Sequence, residues 1–328
     1  MAMTASRQDG AKRAATAASD EARARLFDAG FLRKLERLEL LARKQMRGLL
    51  RGEHTSRSRG QGQEFADFRR YQAGDDFRAI DWNIYQRLDR LFVRLYSSDQ
   101  DLAVHLLLDC SASMAVGDPV KFDQARRLAA ALAYVGVNNL ERVGIEPFGN
   151  APVRRLGTLR HRSQMISALD FLAGLECAGR TRLDLACREL AVTLRKPALV
   201  VVLSDLIDSV VPEHEGRAEP ADSTRLEQGL KMLRARGHEL LVLQILAEEE
   251  IAPTLDGAYE LRDLEHDGLL KLSIDADLRA RYLQRLEQWL AGNEAVCARF
   301  GVDYMRFSTA IPFEDMVLRY LRQGWHLR

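Results

Sequence analysis

Apolar runs alternate with amphipathic helical segments along most of the chain from residue 101 onward. Residues 103–108 form an apolar run typical of a buried strand, and residues 120–139 then place apolar side chains at helical spacing. The alternation continues, predicting strands at 143–149, 153–159, 198–203, 239–246 and 302–308 and helices at 163–173, 182–195, 224–236, 276–300 and 312–323. Strands that alternate with helices usually form a parallel sheet. The pattern predicts an α/β fold: a mostly parallel, Rossmann-like sheet with helices on both faces.

Two short connections predict local antiparallel pairing. The link between 143–149 and 153–159 is too short for a crossover, so these strands are expected to pair antiparallel at one edge. The segments 258–264 and 269–274 flank His266-Asp267-Gly268, a plausible turn, and are expected to form a small hairpin.

The first hundred residues differ from the rest. Residues 1–24 are small and polar and are expected to be a disordered tail. Residues 25–100 are expected to hold an N-terminal helix that starts near Phe31 and ends near Gly52, followed by a charged and aromatic segment. This helix is basic and amphipathic, and packing on the main domain is favoured over membrane contact. Residues 101–328 are expected to form the main domain.

The charged segment, residues 65–99, mixes aromatic residues with charges of both signs. A strand is predicted at 90–96. Arg69, Arg70 and Arg78 are candidate partner contacts, because guanidinium groups form bidentate pairs with carboxylates. The alternative is that they act as internal ion-pair staples.

Composition excludes several classes of protein. The 328 residues carry a net charge of +1, which gives no bulk electrostatic case for nucleic acid binding. No apolar run reaches the roughly 18–20 residues of a membrane span, and the N-terminus lacks the apolar core of a signal peptide. The four cysteines lack CxxC spacing. A cytoplasmic protein is expected.

Candidate chemistry lies in three loops. Asp109, Ser111 and Ser113 directly follow the strand at 103–108, Thr181 precedes a helix, and Asp205 follows the strand at 198–203. Ligands of parallel α/β sheets bind beyond the carboxyl ends of the strands. Carboxylate and hydroxyl oxygens are hard ligands that suit Mg²⁺ or Mn²⁺. One divalent cation site is therefore predicted.

This set of residues resembles the metal-ion-dependent adhesion site of von Willebrand factor A domains. The resemblance implies that Asp109, Ser111, Ser113, Thr181 and Asp205 hold one Mg²⁺ or Mn²⁺, and that an acidic residue of a protein ligand completes its coordination. The chain departs from the pattern in two places. Leu206 stands where the family often has Gly, and Thr181 lies between Arg180 and Arg182.

A second resemblance joins this motif to the segment Phe68 to Asn83. Together they are similar to the domain of unknown function 58 family, bacterial von Willebrand A-like proteins, over roughly residues 30 to 325. The resemblance implies a cytoplasmic domain that works with a MoxR-type AAA+ ATPase.

The leading functional hypothesis is a non-enzymatic, metal-dependent interaction module that acts as an adaptor or co-chaperone. No phosphate-binding loop, zinc-protease motif or nucleophile elbow is found. One alternative is a Mg²⁺-dependent phosphohydrolase in which Asp109 attacks phosphorus, although no spacing ties Lys121 or Lys196 to the site. The other alternative is a metal-free scaffold in which Ser111, Ser113 and Thr181 cap helices and loops.

Overall fold

The computed structural model describes eleven parts of the chain. They are residues 21, 23–38, 64–71, 77, 80–88, 90–97, 103–139, 141–149, 156–207, 221–262 and 269–323. Contacts divide the chain into two compact units, a smaller one of residues 46–101 and a larger one of residues 1–45 and 102–328.

The smaller unit is built on two antiparallel strands. Its elements are β1 (Glu64–Arg70), α1 (Trp82–Leu88) and β2 (Phe92–Ser97). The strand predicted at 90–96 is confirmed as β2, whereas β1 was not predicted. The register of β1 against β2 shifts between Phe65 and Asp67. Such a bulge interrupts the two-residue alternation by which a strand is recognised.

The larger unit contains most of the predicted helices and strands. Residues 156–158 of the strand predicted at 153–159 are not in a strand, and the short helix α6 was not predicted. The helices and strands of this unit are β3 (Ala103–Asp109), α2 (Lys121–Asn138), β4 (Arg142–Phe148), α3 (Met165–Ala173), α4 (Leu183–Thr193), β5 (Leu199–Ser204), α5 (Ala221–Ala235), β6 (Glu239–Leu246), α6 (Glu248–Ile251), β7 (Gly257–Arg262), β8 (Leu269–Ile274), α7 (Ala276–Arg299), β9 (Asp303–Ser308) and α8 (Phe313–Gln323). Short 3-10 turns lie at Ala112–Ala115 and Arg162–Gln164.

The central sheet has the strand order β4-β3-β5-β6-β9, and every neighbouring pair is parallel. Successive residues of a strand point to opposite faces. Accordingly, Leu106 and Leu108 pack in one buried cluster, while Leu107 packs in another. Both faces are therefore covered, which explains the nearly continuous apolar character of β3, β5 and β6. The predicted α/β class is confirmed.

The predicted hairpin is confirmed, whereas the strand predicted at 153–159 is reduced, in the described residues, to a single antiparallel bridge at Leu159. Val143 of β4 and Leu159 form an antiparallel bridge with N–H to O distances of 3.0 and 2.8 Å. Residues 151–155 of the second predicted strand lie outside the described residues. β7 and β8 pair antiparallel as a hairpin. The predicted turn at 266–268 lies outside the described residues.

The N-terminal helical segment packs in the larger unit. Residues 23–26 and 29–38 are helical, including positions 23 and 24 of the expected tail. Asp28 begins the second stretch by accepting the Phe31 N–H at 2.6 Å. Leu26, Phe27, Phe31, Leu35 and Leu38 are all buried in the same cluster as residues of α2 and α8. The N-terminal helical segment therefore belongs to the larger unit. The sequence analysis had instead grouped it with the charged segment, in residues 25–100.

Candidate metal centre

Two buried carboxylates stand at the carboxyl ends of adjacent central strands. Asp109 is the last residue of β3, and Asp205 directly follows Ser204, the last residue of β5. Because β3 and β5 are parallel neighbours, their carboxyl ends meet at one edge of the sheet. Asp109, Ser204 and Asp205 have no exposed surface. Buried carboxylates are costly unless they are paired or bind a cation.

Asp109 is held by the loop that follows it. Its Oδ1 accepts the Ser111 N–H at 2.9 Å, and its Oδ2 accepts the Ser204 hydroxyl at 2.5 Å. The Ser111 and Ser113 hydroxyl oxygens lie 3.0 Å apart. The loop that carries the D-x-S-x-S motif therefore turns back on the end of β3 and brings the Asp109 carboxylate close to the Ser111 and Ser113 hydroxyls.

Backbone pairing brings the Thr181 loop to the same edge. Ala112 N–H donates to the Gly179 carbonyl at 2.9 Å, and Ala178 N–H donates to the Cys110 carbonyl at 2.8 Å. Gly179 has a φ of 73°, a conformation that glycine adopts without strain. Thr181 is 1% exposed, and its hydroxyl has no hydrogen-bond partner within the described part of the chain. A buried hydroxyl without a partner is unusual and requires an explanation.

Asp205 is paired with a lysine that the sequence analysis did not place at the site. The Lys121 Nζ donates to Asp205 Oδ2 at 2.7 Å and to Glu250 Oε1 at 2.6 Å. The other Asp205 oxygen, Oδ1, accepts the Ile207 N–H at 2.9 Å. Lys121 is fully buried. Its position one turn before Ala125, on the apolar face of the predicted helix, could have indicated that Lys121 is buried, but this spacing does not identify the carboxylates that pair with it.

The turn after Asp205 is strained. Leu206 has a φ of 61°, which costs a residue with a β-carbon about 1 kcal/mol or more. The Leu206 N–H donates to the Ser204 hydroxyl at 2.9 Å, and the buried Leu206 side chain packs in the core. This packing holds the turn, and with it Asp205, in a conformation that glycine would adopt more readily.

Burial and mutual repulsion perturb the ionisable groups. Burial, reinforced by the nearby charge of Asp205, raises the pKa of Asp109 to about 7, although hydrogen bonds from Ser204 and Ser111 oppose the rise. Burial alone would lower the pKa of Lys121, but the Asp205 and Glu250 carboxylates outweigh it and raise that pKa. The ion pairs thus keep Lys121 charged, whereas burial and the charge of Asp205 favour the protonated form of Asp109.

The donor chemistry fits a hard divalent cation. Within the described ranges, no three His, Cys, Asp or Glu side chains form a metal-binding group. The candidate ligands at this edge are the Asp109 and Asp205 carboxylates and the hydroxyls of Ser111, Ser113 and Thr181. Mg²⁺ accepts such a set because it binds through one or two carboxylates and keeps several waters.

The residues proposed for partner contact lie in the smaller unit. Arg69 and Arg70 are the last two residues of β1, and Arg70 is exposed. Arg78 lies outside the described residues.

The fold and the candidate metal centre define an α/β protein with two buried carboxylates at the carboxyl ends of adjacent central strands. The chain belongs to the family described as "Protein of unknown function DUF58", which matches residues 67–289. It is 27% identical over 250 residues to uncharacterized proteins of Mycobacterium tuberculosis and Mycobacterium bovis, which covers 75% of this chain and 74% of each relative.

Solved structures show only distant likeness. An aerotolerance-related membrane protein from Bacteroides fragilis matches 68% of this chain and 99% of its own with 19% identity and a TM-score of 0.40. The conserved hypothetical protein BatB from Bacteroides thetaiotaomicron matches 68% of this chain and 98% of its own with 16% identity and a TM-score of 0.39. In this chain, none of the described helices is both long and apolar enough to cross a bilayer.

Proposed function

We propose that this chain is a non-enzymatic, divalent-metal-dependent protein-interaction module. It acts as an adaptor or co-chaperone of a MoxR-type AAA+ ATPase in the cytoplasm. The observation that carries the proposal is the Thr181 hydroxyl, buried and without a hydrogen-bond partner in the described structure, in a loop paired with the Asp109 loop. A cation explains why this oxygen is buried there.

The charges around the site support a bound cation. With Asp109 ionised, its carboxylate joins those of Asp205 and Glu250, and the Lys121 ammonium offsets only one of the three charges. A divalent cation held by Asp109, Ser111, Ser113, Thr181 and Asp205 offsets the remaining two. When bound, this ion supplies a Lewis-acidic position to which a carboxylate of another protein can bind.

The same contacts argue against a phosphohydrolase. Lys121 is committed to two carboxylates rather than presented to a phosphate. The metal-free scaffold is the second candidate, because the Lys121–Asp205 ion pair already stabilises one carboxylate without metal.

Exposed side chains of the smaller unit support a partner surface there. Trp82, Tyr85 and Leu88 of α1 are exposed by 57%, 39% and 60%. Exposed aromatic and arginine side chains are typical of binding surfaces, and Arg87 of α1 is exposed as well. We propose that Arg69, Arg70 and Arg78, which lie in the sequence just before α1, contact acidic groups of the ATPase.

Surface plasmon resonance tests the proposal with the MoxR-type ATPase of the same organism immobilised. The wild type should bind in Mg²⁺ and lose most of its binding in EDTA, as should Asp109→Asn in Mg²⁺. The exposed matched control, Asp256→Asn, should bind like the wild type. The combined replacement of Arg69, Arg70 and Arg78 with Ala should weaken the complex but leave metal affinity intact.

Three results contradict the proposal. Identical binding to the ATPase in Mg²⁺ and in EDTA shows that the interaction does not depend on a metal. Absence of any complex shows that the ATPase is not the partner. Hydrolysis of p-nitrophenyl phosphate that requires Mg²⁺ and disappears in Asp109→Asn establishes the enzymatic alternative instead.

A further inference from the structure

The two edges of the central sheet differ in how they are protected. At one edge, β4 is bridged on its outer side by Leu159. At the other edge, β9 pairs with β6 on its inner side, and no described residue pairs with its outer side. An open edge strand presents unpaired N–H and C=O groups that can template another strand.

The hydrogen bond from the Thr309 N–H to the Leu246 carbonyl of β6, at 2.9 Å, fixes which groups face outward. The backbone groups of successive strand residues point to opposite sides, so the inward set includes positions 305 and 307. The N–H and C=O groups of Tyr304 and Arg306 therefore point away from β6, to the open side.

A groove of about 290 Å³ runs along this open edge. Tyr304, Met305, Arg306 and Phe307 of β9 line it, with Glu294 of α7 and Arg319 of α8 beside them. Arg306 and Glu294 are 3.9 Å apart and largely exposed, so their pairing is weak. Arg319 is exposed as well. The groove thus combines outward backbone groups with two arginines and one carboxylate.

We propose that the outer edge of β9 binds an extended, acidic peptide segment of a protein partner, which adds a sixth strand to the sheet. The backbone groups of Tyr304 and Arg306 supply the main-chain hydrogen bonds, and two neighbouring carboxylates of the peptide, which point to opposite faces of the sheet, pair with Arg306 on the α7 side and with Arg319 of α8. This surface is separate from the metal centre and needs no cation.

Charge favours an acidic peptide over a second copy of this chain. When β9 pairs antiparallel with its own copy in the register centred on Arg306, the two Arg306 side chains face each other across the two-fold axis. Like charges that face each other across a strand pair are destabilising. A peptide that carries glutamates relieves this repulsion, whereas one that carries lysines increases it.

The probe is a fluorescent, N-acetylated heptapeptide with two neighbouring glutamates between successive valines, so that carboxylates project from both faces of the added strand, and it is titrated by anisotropy into the full chain. Two matched peptides serve as controls: one has lysine in place of glutamate, and the other has N-methyl groups on alternate backbone amides. The acidic peptide should bind at least about tenfold more tightly than either control. Amide exchange should show protection of Tyr304 and Arg306 only in its presence.

Variants distinguish this edge from other basic surfaces. Arg306→Glu and Arg319→Glu should each weaken binding of the acidic peptide by about tenfold, while Arg160→Glu, next to the protected edge, should not. Equal affinity for the three peptides, no binding up to about 1 mM, or no effect of Arg306→Glu overturns the proposal. Concentration-dependent dimers that Arg306→Glu dissociates also overturn it, in favour of self-association.

Discussion

The ammonium group of Lys121 lies 2.7 Å from Asp205 Oδ2, and neither side chain is exposed. This buried ion pair connects α2 to the end of β5, and through Glu250 it also reaches α6. It provides part of the positive charge at the candidate metal centre before any cation binds. A metal bound there would act together with a lysine that already belongs to the fold.

Lys121→Met should destabilise the metal-free protein strongly. Removing one member of a buried ion pair leaves the other charge unpaired, at a cost of about 3–5 kcal/mol. Chemical denaturation in EDTA measures the loss, and saturating Mg²⁺ should recover part of it. Lys231→Met, at an exposed position of α5, should cost less than about 0.5 kcal/mol. Equal stability of the two variants contradicts a stabilising role for the Lys121 pair.

Phe31→Ala tests whether the N-terminal helix is an integral part of the larger unit. Phe31 is 3% exposed, and its ring centroid lies 4.7 Å from that of Phe313. The substitution should lower the free energy of unfolding by about 3–4 kcal/mol. Its neighbour Leu32 is 44% exposed, so Leu32→Ala should cost less than about 1 kcal/mol. Comparable losses in the two variants argue against this packing.

Glu141→Gln should stabilise the protein at alkaline pH. Burial raises the pKa of Glu141 to about 8 from an ordinary value of 4.5. The folded protein therefore retains a proton that the unfolded chain releases, and stability falls as pH rises between these values. The glutamine variant lacks this loss.

Urea denaturation at several pH values measures the effect of Glu141→Gln. Near pH 4.5 the variant and the wild type should be similarly stable, and near pH 8 the variant should be more stable by about 2 kcal/mol or more. The exposed control Glu176→Gln should follow the wild type at every pH. A difference between Glu141→Gln and wild type that does not change with pH is inconsistent with a buried, protonated Glu141.

Much of the fold was predictable because the central strands are buried on both faces. Their apolar runs are nearly continuous, so β3, β5 and β6 were located to within a residue or two, and the positions of Asp109 and Asp205 at strand ends followed. β1 escaped prediction because its bulge breaks the alternation of side chains. This loss of information is local.

The ion-pair partner at the metal centre was harder to predict. Lysine is almost never fully buried unless it is paired, and the carboxylates that pair with Lys121 lie 84 and 129 residues away in the sequence. The Ser204 hydroxyl bond to Asp109 was equally hidden, since Ser204 ends an apolar strand. Contacts of this kind depend on the tertiary fold rather than on sequence spacing.

Thr181→Val distinguishes a hydroxyl that binds metal from one that stabilises the fold. Valine has nearly the same shape, and the Thr181 hydroxyl makes no hydrogen bond within the described structure. The substitution therefore removes an unsatisfied buried polar group, and the metal-free variant should be as stable as the wild type or more stable by about 1 kcal/mol. Thermal denaturation in EDTA checks this, and a lower melting temperature indicates a structural hydroxyl.

Calorimetric titration of Mg²⁺ and Mn²⁺ into the wild type and Thr181→Val tests metal binding most directly. The wild type should bind one ion, and Thr181→Val should bind it at least about tenfold more weakly because one oxygen ligand is lost. Asp109→Asn should reduce the affinity further, and Asp256→Asn should leave it unchanged. Equal binding by the wild type, Thr181→Val and Asp109→Asn, or no binding by the wild type, contradicts a metal centre at this edge of the sheet.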